Sequence, residues 1–279
     1  MERRWYVLEA TTPLLLHGVN SREPEIRAQS FKGMMRWTMR TLLGALYDVD
    51  TVKKLDFVVN GDTSHASMWS LSVSGIGKIQ TGKYGYYKGY KEGTRLYVEL
   101  LSDDKDIMKL VEIMFGAFVR NFGVGQRWRH GYGKLKRYDG HPLLKDDLPF
   151  IDENVKKVAS KLSISLRPNT HRLWQYPYVY VDDKKRYAFT VNVGKGGVEG
   201  AEDVKNTLKF LFGRIGKKVC FNKDELFGAV GRKKRIPSRV IYRPLSGNKV
   251  RVIFLMIPRR ECCNSVYSAL IRALYKEYH

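Results

Sequence analysis

The sequence contains few cysteines, no long apolar run and few acidic residues. Its three cysteines, Cys220, Cys262 and Cys263, lack the spacing of a zinc knuckle or a redox pair and suit a reducing compartment. No stretch approaches the length of a membrane span. The apolar run near the N-terminus is short and interrupted by acid, so we predict a strand there and not a signal peptide. A cytoplasmic protein without membrane contact is expected.

Catalytic motifs are also scarce. The sequence has no HExxH, no GxSxG and no cluster of carboxylates, and Asp103, Asp104 and Asp106 are expected to charge a helix N-terminus and not to bind a metal. Among six scattered histidines, His17 and His130 lie in loops, where a histidine can act as general acid or base in metal-independent RNA cleavage. A lone loop histidine more often stacks or is solvated. We therefore predict no catalytic residue, no metal and no cofactor.

The shortage of acid leaves a strongly basic chain. Fifty Lys and Arg residues against 28 Asp and Glu residues give a net charge of +22, while 43% hydrophobic residues indicate a globular protein. The imbalance is greatest between Lys205 and Arg260, where 16 basic residues accompany two acids. A surface this basic favours a polyanionic partner, and nucleic acid is the usual one.

One stretch combines positive charge with glycine and aromatic residues. Residues 119–138, VRNFGVGQRWRHGYGKLKRY, contain no acid. Glycine allows positive φ and close approach of the backbone to a ligand, basic side chains meet phosphates, and aromatic rings stack on bases. The alternative is a glycine-rich hairpin with solvated charges. The stretch follows a predicted helix and lacks both the dinucleotide-binding spacing and a P-loop lysine. Its candidate RNA-binding residues are Gly123, Gly125, Arg127, Trp128, Arg129, His130, Gly131, Tyr132 and Lys134.

Two further basic groups are candidates for the same surface. Lys32, Arg36 and Arg40 recur every four residues on a predicted helix over 31–47, which places three like charges in one stripe opposite its apolar face. A solvated helix face usually mixes signs, so this stripe favours contact with RNA or another partner. In the acid-poor second half, a further cluster is expected to contact a polyanion; it comprises Arg232, Lys233, Lys234, Arg235 and Arg239.

The periodicity of the chain predicts an α+β fold. In the first half we expect a strand at 3–12, a helix with Ser30 at its N-cap, strands at 66–80 and 94–101, a helix capped by Asp103, and a loop and strand containing the glycine-rich stretch. This is the order of a ferredoxin-like (RRM-like) β-α-β-β-α-β domain with loop and hairpin insertions. We place it at 1–145, and a second, more basic ferredoxin-like domain at 146–279. The second half is predicted to contain helices at 152–162, 201–215 and Asn264–Tyr278, a hairpin over 176–193, and another with strands 239–243 and 249–257. The pattern Phe-Gly, basic loop, strand occurs in both halves and hints at duplication.

The first half also resembles a known family. Residues 12–44 are similar to the start of RAMP-superfamily subunits of type III CRISPR effector complexes, and more narrowly to subunit one of the Cmr complex. The matching residues are Glu25, Arg27, Ser30, Phe31, Lys32, Gly33, Arg36, Trp37 and Arg40. The stretch 123–133 resembles the glycine-rich loop of the superfamily, and FGAVGRKKRIPSRVIYRPL resembles a second family segment.

The resemblance implies two ferredoxin-like domains and a non-catalytic subunit near the 3′-proximal part of a guide RNA. Its partners would be the guide RNA, its target RNA and other RAMP subunits. Two alternatives stay open. One is a guide-processing endoribonuclease that uses His17 or His130, and the other is a basic scaffold that contacts only protein.

Overall fold

A computed structural model of the chain divides into two compact units. Unit 1 comprises Met1–Trp128 and Tyr132–Thr170, and unit 2 comprises Arg129–Gly131 and His171–His279. The structure describes residues 1–20, 22–140, 142–169, 178–179, 188–215, 226–227, 229–230, 235–236, 238–256 and 263–278.

Unit 1 is built on one antiparallel sheet of four strands. The strands are β1 (Glu2–Ala10), β2 (Trp69–Ile76), β5 (Arg95–Ser102) and β6 (Leu135–Arg137), with a separate hairpin of β3 (Thr81–Tyr84) and β4 (Tyr87–Tyr90). The sheet order is β2-β5-β1-β6. The central strands are therefore β1 and β5, which are the first and third strands of the ferredoxin-like β-α-β-β-α-β motif. This is the predicted ferredoxin-like arrangement, and the α+β class is confirmed.

Four helices complete unit 1: α1 (Ala28–Leu43), α2 (Val49–Asn60), α3 (Lys105–Asn121) and α4 (Leu148–Lys161). Their apolar faces and one face of the sheet form the core, where Phe31 of α1 meets Phe118 of α3 edge to face.

The predicted N-cap residues of α1 and α3, Ser30 and Asp103, are both wrong. Helix α1 begins at Ala28 with Arg27 at the N-cap, and Asp104, not Asp103, accepts the first free N–H groups of α3.

Two elements of unit 1 are absent from the sequence prediction. Helix α2 is one of them, although Asp48 caps its N-terminus by accepting from Thr51 N–H. The other is the β3–β4 hairpin. Its sequence predicts a loop because the four tyrosines and four glycines over 81–93 follow no apolar alternation.

The predicted domain boundary at 145/146 would assign α4 to the second domain. In the structure α4 packs on α3, and unit 1 extends to Thr170.

In the described part of unit 2, five elements follow one another in the order β-α-β-β-α, with a short strand before them and a separate two-stranded pair inserted after the first helix. Its elements are β7 (Tyr178–Val179), β8 (Ala188–Asn192), α5 (Gly197–Ile215), β9 (Ala229–Val230), β10 (Arg235–Ile236), β11 (Val240–Leu245), β12 (Lys249–Met256) and α6 (Cys263–Tyr278). The β11–β12 hairpin is confirmed. The predicted hairpin over 176–193 lies largely outside the described residues, and its two described segments, β7 and β8, each pair antiparallel with β12.

Candidate nucleic-acid interface

The two arginines of the α1 stripe bind a buried carboxylate. Arg36 donates from Nε and Nη2 to Asp56 at 2.9 Å, and Arg40 donates from Nε to Asp56 Oδ2 at 2.9 Å. Asp56 lies on α2 with its side chain 2% exposed, whereas the arginines keep 29% and 27% exposure. The α1 stripe itself contains no acid, but Asp56 approaches both arginines from another helix. Their contact with RNA stays a prediction.

A hydrogen-bonded network continues from Asp56 to Lys32. Asn60 donates to Asp56 Oδ1 at 3.0 Å and accepts from the Trp69 indole N–H at 2.9 Å. Lys32 donates to the Trp69 carbonyl at 3.4 Å, and its ammonium lies 5.0 Å from the centre of the indole ring. Burial lowers the pKa of Lys32, and the nearby charge of Arg36 lowers it further. The three predicted RNA ligands of α1 therefore join α1, α2 and β2.

The glycines of the predicted RNA-binding loop allow two backbone segments to approach closely. Gly125 and Gly133 have φ of +87° and +69°, and a Cβ there would lie 2.5 Å from the Leu15 carbonyl oxygen and 1.9 Å from the Val124 carbonyl oxygen. Gln126 N–H donates to Leu15 O at 2.8 Å, and Gly133 N–H donates to Pro13 O at 2.9 Å. These N–H groups bind the chain itself, so the alternative of a glycine-rich structural loop accounts for both glycines.

Replacing Gly133 with alanine should destabilise unit 1 by about 2–4 kcal/mol, from left-handed strain and a backbone clash. Gly93 is the matched control, since it has φ of +81° and a Cβ placed on it would have open space within 4 Å. Gly93→Ala should cost only the conformational part, about 1–2 kcal/mol. Urea unfolding of both variants measures the difference. Equal losses would contradict the close-approach explanation.

Other predicted ligands of the loop are engaged within unit 1. The Trp128 ring packs edge to face against Trp37 at 4.9 Å between centroids and against Phe122 at 6.1 Å. Lys134 is 8% exposed, and its backbone N–H donates to Thr12 Oγ1 at 2.9 Å. Tyr132 is half-buried, and a Cβ on Gly123 would lie 2.7 Å from the Tyr132 carbonyl oxygen. These contacts give Trp128 and Lys134 a structural role, and their contact with RNA stays a prediction.

Three residues of the same loop belong to unit 2. Arg129 accepts at its carbonyl from Tyr242 N–H at 3.0 Å, its guanidinium donates to Ser238 O, and His130 forms a β-bridge with Tyr242. A Cβ on Gly131 would lie 3.0 Å from Ala201 Cβ. The loop is thus divided between the units and is not one continuous solvent-exposed segment.

The second-half basic cluster is described only in part. The backbone of Arg239 pairs with Leu226 and Leu255, each at 2.8 Å. Arg235 forms part of β10, paired with Val230. Arg232, Lys233 and Lys234 lie outside the described residues, so the predicted contact of this cluster with a polyanion stays untested.

The β3–β4 hairpin and Arg127 present a basic and aromatic surface, and of its residues the sequence prediction included Arg127 alone. Its members, which we term the hairpin face, are Lys83, Tyr86, Lys88, Lys91 and Arg127. Lys83 and Lys88 lie opposite each other across the two strands, and Lys91 lies on the other side of the ribbon, next to Gly82. All five are exposed, Tyr86 completely. Arg127, at φ +56°, extends from the glycine-rich loop over the Tyr87 ring at 5.4 Å. The signal for this surface is the interleaving of lysine, tyrosine and glycine in TGKYGYYKGYKEG, which is typical of nucleic-acid contacts.

The hairpin is held in place by the segment between β1 and α1. Tyr90 and Leu14 exchange both backbone hydrogen bonds, at 2.9 and 3.0 Å, and Tyr90 Oη donates to Pro24 O. His17 Nε2 lies 2.7 Å from the Lys88 carbonyl oxygen, so this nitrogen carries the proton and donates it. Lys88 also pairs with Glu23 at 2.6 Å. The hairpin face is therefore presented on a fixed support.

His17 is poorly placed for proton transfer. Its Nε2 proton is used by the Lys88 carbonyl, and its Nδ1 is buried without a hydrogen-bond partner in the structure. A general acid or base must reach the proton that it transfers. Within the described residues, no group of three or more His, Cys, Asp or Glu side chains is arranged to hold a metal ion. In the same part of the chain, every helix is too short or too polar to cross a bilayer.

Comparison with known proteins agrees with the fold. The sequence profile of the RAMP superfamily matches residues 7–136. Two curated relatives from Pyrococcus furiosus are named CRISPR system Cmr subunit Cmr1-1 and Cmr1-2. The first is 29% identical over 175 residues, and the match covers 53% of this chain and 51% of the relative. The second is 37% identical over 171 residues, covering 46% of this chain and 91% of the relative. The chain thus spans about half the length of the first.

Two solved structures resemble nearly the whole chain. The crystal structure of Cmr1 from Pyrococcus furiosus in its apo form matches with a TM-score of 0.61 at 18% identity, covering 98% of this chain and 97% of that one. A chain of the type III-B Cmr-beta complex bound to cognate target RNA and AMPPnP also gives 0.61, at 10% identity and 99% coverage of both chains. At these identities the likeness shows a common fold alone.

Proposed function

The chain belongs to the Cmr1 family of the RAMP superfamily, and we therefore propose that it is an RNA-binding subunit of a type III CRISPR effector complex. Its RNA would be the 3′-proximal part of the guide RNA, its duplex with target RNA, or both. Its protein partners would be other RAMP subunits of the complex, in the cytoplasm. The relatives support this assignment because both are named as Cmr subunits.

The observation that carries the proposal is the hairpin face. Lysine ammonium and arginine guanidinium groups bind phosphates, and an exposed tyrosine offers a stacking surface. Within the described part of the chain, Lys83 and Lys91 have no acidic side chain within ion-pair distance. These charges are thus available to a polyanion, whereas Arg36 and Arg40 already share Asp56.

The proposal includes no catalytic step by this subunit. Of the two histidines considered for RNA cleavage, His17 has one ring nitrogen hydrogen-bonded and the other buried. His130 belongs to unit 2, where its backbone bridges to Tyr242. A guide-processing endoribonuclease is the competing function, and it requires one of these rings to transfer a proton.

The test is a salt titration of binding to labelled single-stranded RNA without metal, followed by a denaturing gel of the same samples. We expect binding that weakens steeply as salt rises, because phosphate contacts release counterions, and RNA that stays intact. If the wild-type chain shortens the RNA and His17→Ala or His130→Ala abolishes this cleavage, the non-catalytic assignment is contradicted. Absence of binding at low salt would contradict the RNA-binding assignment and favour a scaffold that contacts only protein.

A further inference from the structure

The sheet of unit 1 has one face that its helices do not cover. Alternate residues of β1 and β5 point into the core, so their neighbours in sequence point away from it. On this outer side lie the aromatic residues Trp5 and Tyr97, with Tyr138 directly after β6. Beside them β2 contributes Ser70, Ser72 and Ser74, all exposed. We term these six residues the open sheet face.

Two of the three aromatic rings of the open sheet face, those of Trp5 and Tyr97, lie on the two central strands. Trp5 of β1 is 51% exposed, and its ring lies 6.5 Å from that of Tyr97 on β5, with 19° between the ring planes. Tyr138 is 47% exposed, and the Arg95 guanidinium lies 3.7 Å from its ring centre. Exposed aromatic rings on the central strands offer a flat apolar surface on which another planar group can stack.

Charge on this side of the sheet is balanced. Arg3 pairs with Glu99, and Glu9 pairs with Lys136 at 2.8 Å and with Arg95 at 3.4 Å. Three cations and two anions leave +1, in a chain of net charge +22. A surface with so little net positive charge is poorly suited to binding phosphates. It offers aromatic rings for the faces of bases, and serine hydroxyls that can donate to or accept from base edges.

We propose that the open sheet face is a second RNA site, which stacks two or three unpaired bases of a single strand on Trp5 and Tyr97. RRM domains use the same architecture, since they stack bases on aromatic residues of a four-stranded sheet. The small serines of β2 leave space beside the rings for a neighbouring base. The ligand class rests on the proposed RNA-binding function, but the contact differs in kind, because it is made to bases and not to phosphates.

The test compares Trp5→Ala/Tyr97→Ala with the conservative Trp5→Phe/Tyr97→Phe in the full chain. Binding of a short labelled single-stranded RNA is measured at several salt concentrations. Loss of stacking should weaken binding by about 10- to 100-fold at every salt concentration without changing the slope of log affinity against log salt. The phenylalanine variant should stay within about threefold of wild type, because it retains stacking faces. Phe57→Ala, at an exposed aromatic of α2, is the control for general loss of apolar surface.

A second measurement does not depend on variants. RNA carrying 5-iodouridine should crosslink to peptides that contain Trp5 or Tyr97 in the wild-type chain. Unchanged affinity of the alanine variant, or crosslinks confined to the hairpin face, would overturn the inference and leave the proposed function intact. An altered salt slope would overturn it as well, because the face would then contact phosphates. Unchanged RNA affinity together with lost assembly into the complex would identify the face as a protein contact. Failure of the wild-type chain to bind RNA would contradict both the proposed RNA-binding function and the stacking site on the open sheet face.

Discussion

Replacing Asp56 with alanine should destabilise unit 1 by about 3–5 kcal/mol, the range found when one partner of a buried ion pair is removed. The substitution leaves Arg36 and Arg40 side by side without their shared counter-charge and removes an acceptor of Asn60. Urea unfolding followed by tryptophan fluorescence is the measurement. Trp69 donates to Asn60 and is one of the five tryptophans whose summed emission follows unfolding. Asp56→Asn retains one acceptor oxygen and should lose less.

Asp50 provides the matched control, because it lies in the first turn of the same helix. Its side chain is 59% exposed and pairs with Arg167 at 3.3 Å. Asp50→Ala should change the free energy of unfolding by less than about 1 kcal/mol, as exposed ion pairs contribute little. If Asp56→Ala proves as mild as Asp50→Ala, the network is not a structural element and the stripe is available for another partner.

The second large effect concerns RNA affinity. Lys83→Gln/Lys91→Gln should weaken binding to single-stranded RNA by at least about tenfold at low salt, because two charge-assisted contacts with phosphates are lost. The slope of log affinity against log salt should also fall by about 1.4, at about 0.7 per phosphate contact. Both lysines are exposed on the hairpin, so the fold should tolerate the change.

The control for this variant is Lys156→Gln/Lys157→Gln on α4. These lysines are also exposed, but each pairs with an acid four residues earlier, Asp152 and Glu153. We expect an unchanged salt slope and near wild-type affinity for the control. Equal weakening by both double variants would mean that RNA responds only to net charge, and the hairpin face would lose its special role.

The Asp56 network also changes how the α1 arginines should be tested. Charge reversal of Arg36 and Arg40 would place two carboxylates against a buried third one, so it would unfold α1 and α2 whatever the residues do to RNA. Arg36→Lys/Arg40→Lys retains the charge and loses the paired guanidinium geometry. RNA affinity must therefore be compared with the stability of the same variant.

The helix and strand order of unit 1 was largely predictable because its signals are local. Phe31, Met35, Met39 and Leu42 repeat at helical spacing, Leu8 alternates with more exposed neighbours, and all five are buried in the core. Helix α2 and the β3–β4 hairpin escaped prediction for different reasons. Val52, Leu55 and Val59 give α2 only a narrow apolar stripe. The hairpin buries little except its last two residues, 89 and 90, so its pairing leaves almost no pattern in the sequence.

The sequence by itself determined the basic character of the chain, the α+β class and, through the residues between Glu25 and Arg40, its family. Composition and short-range periodicity suffice for these because they do not depend on which distant residues meet. Only the tertiary structure decided which basic side chains are paired with acids and which are exposed. Asp56 reaches Arg36 from 20 residues away, and Leu15 meets Gly125 from more than a hundred. Such long-range contacts bury some cations and expose others, and local sequence contains no record of them.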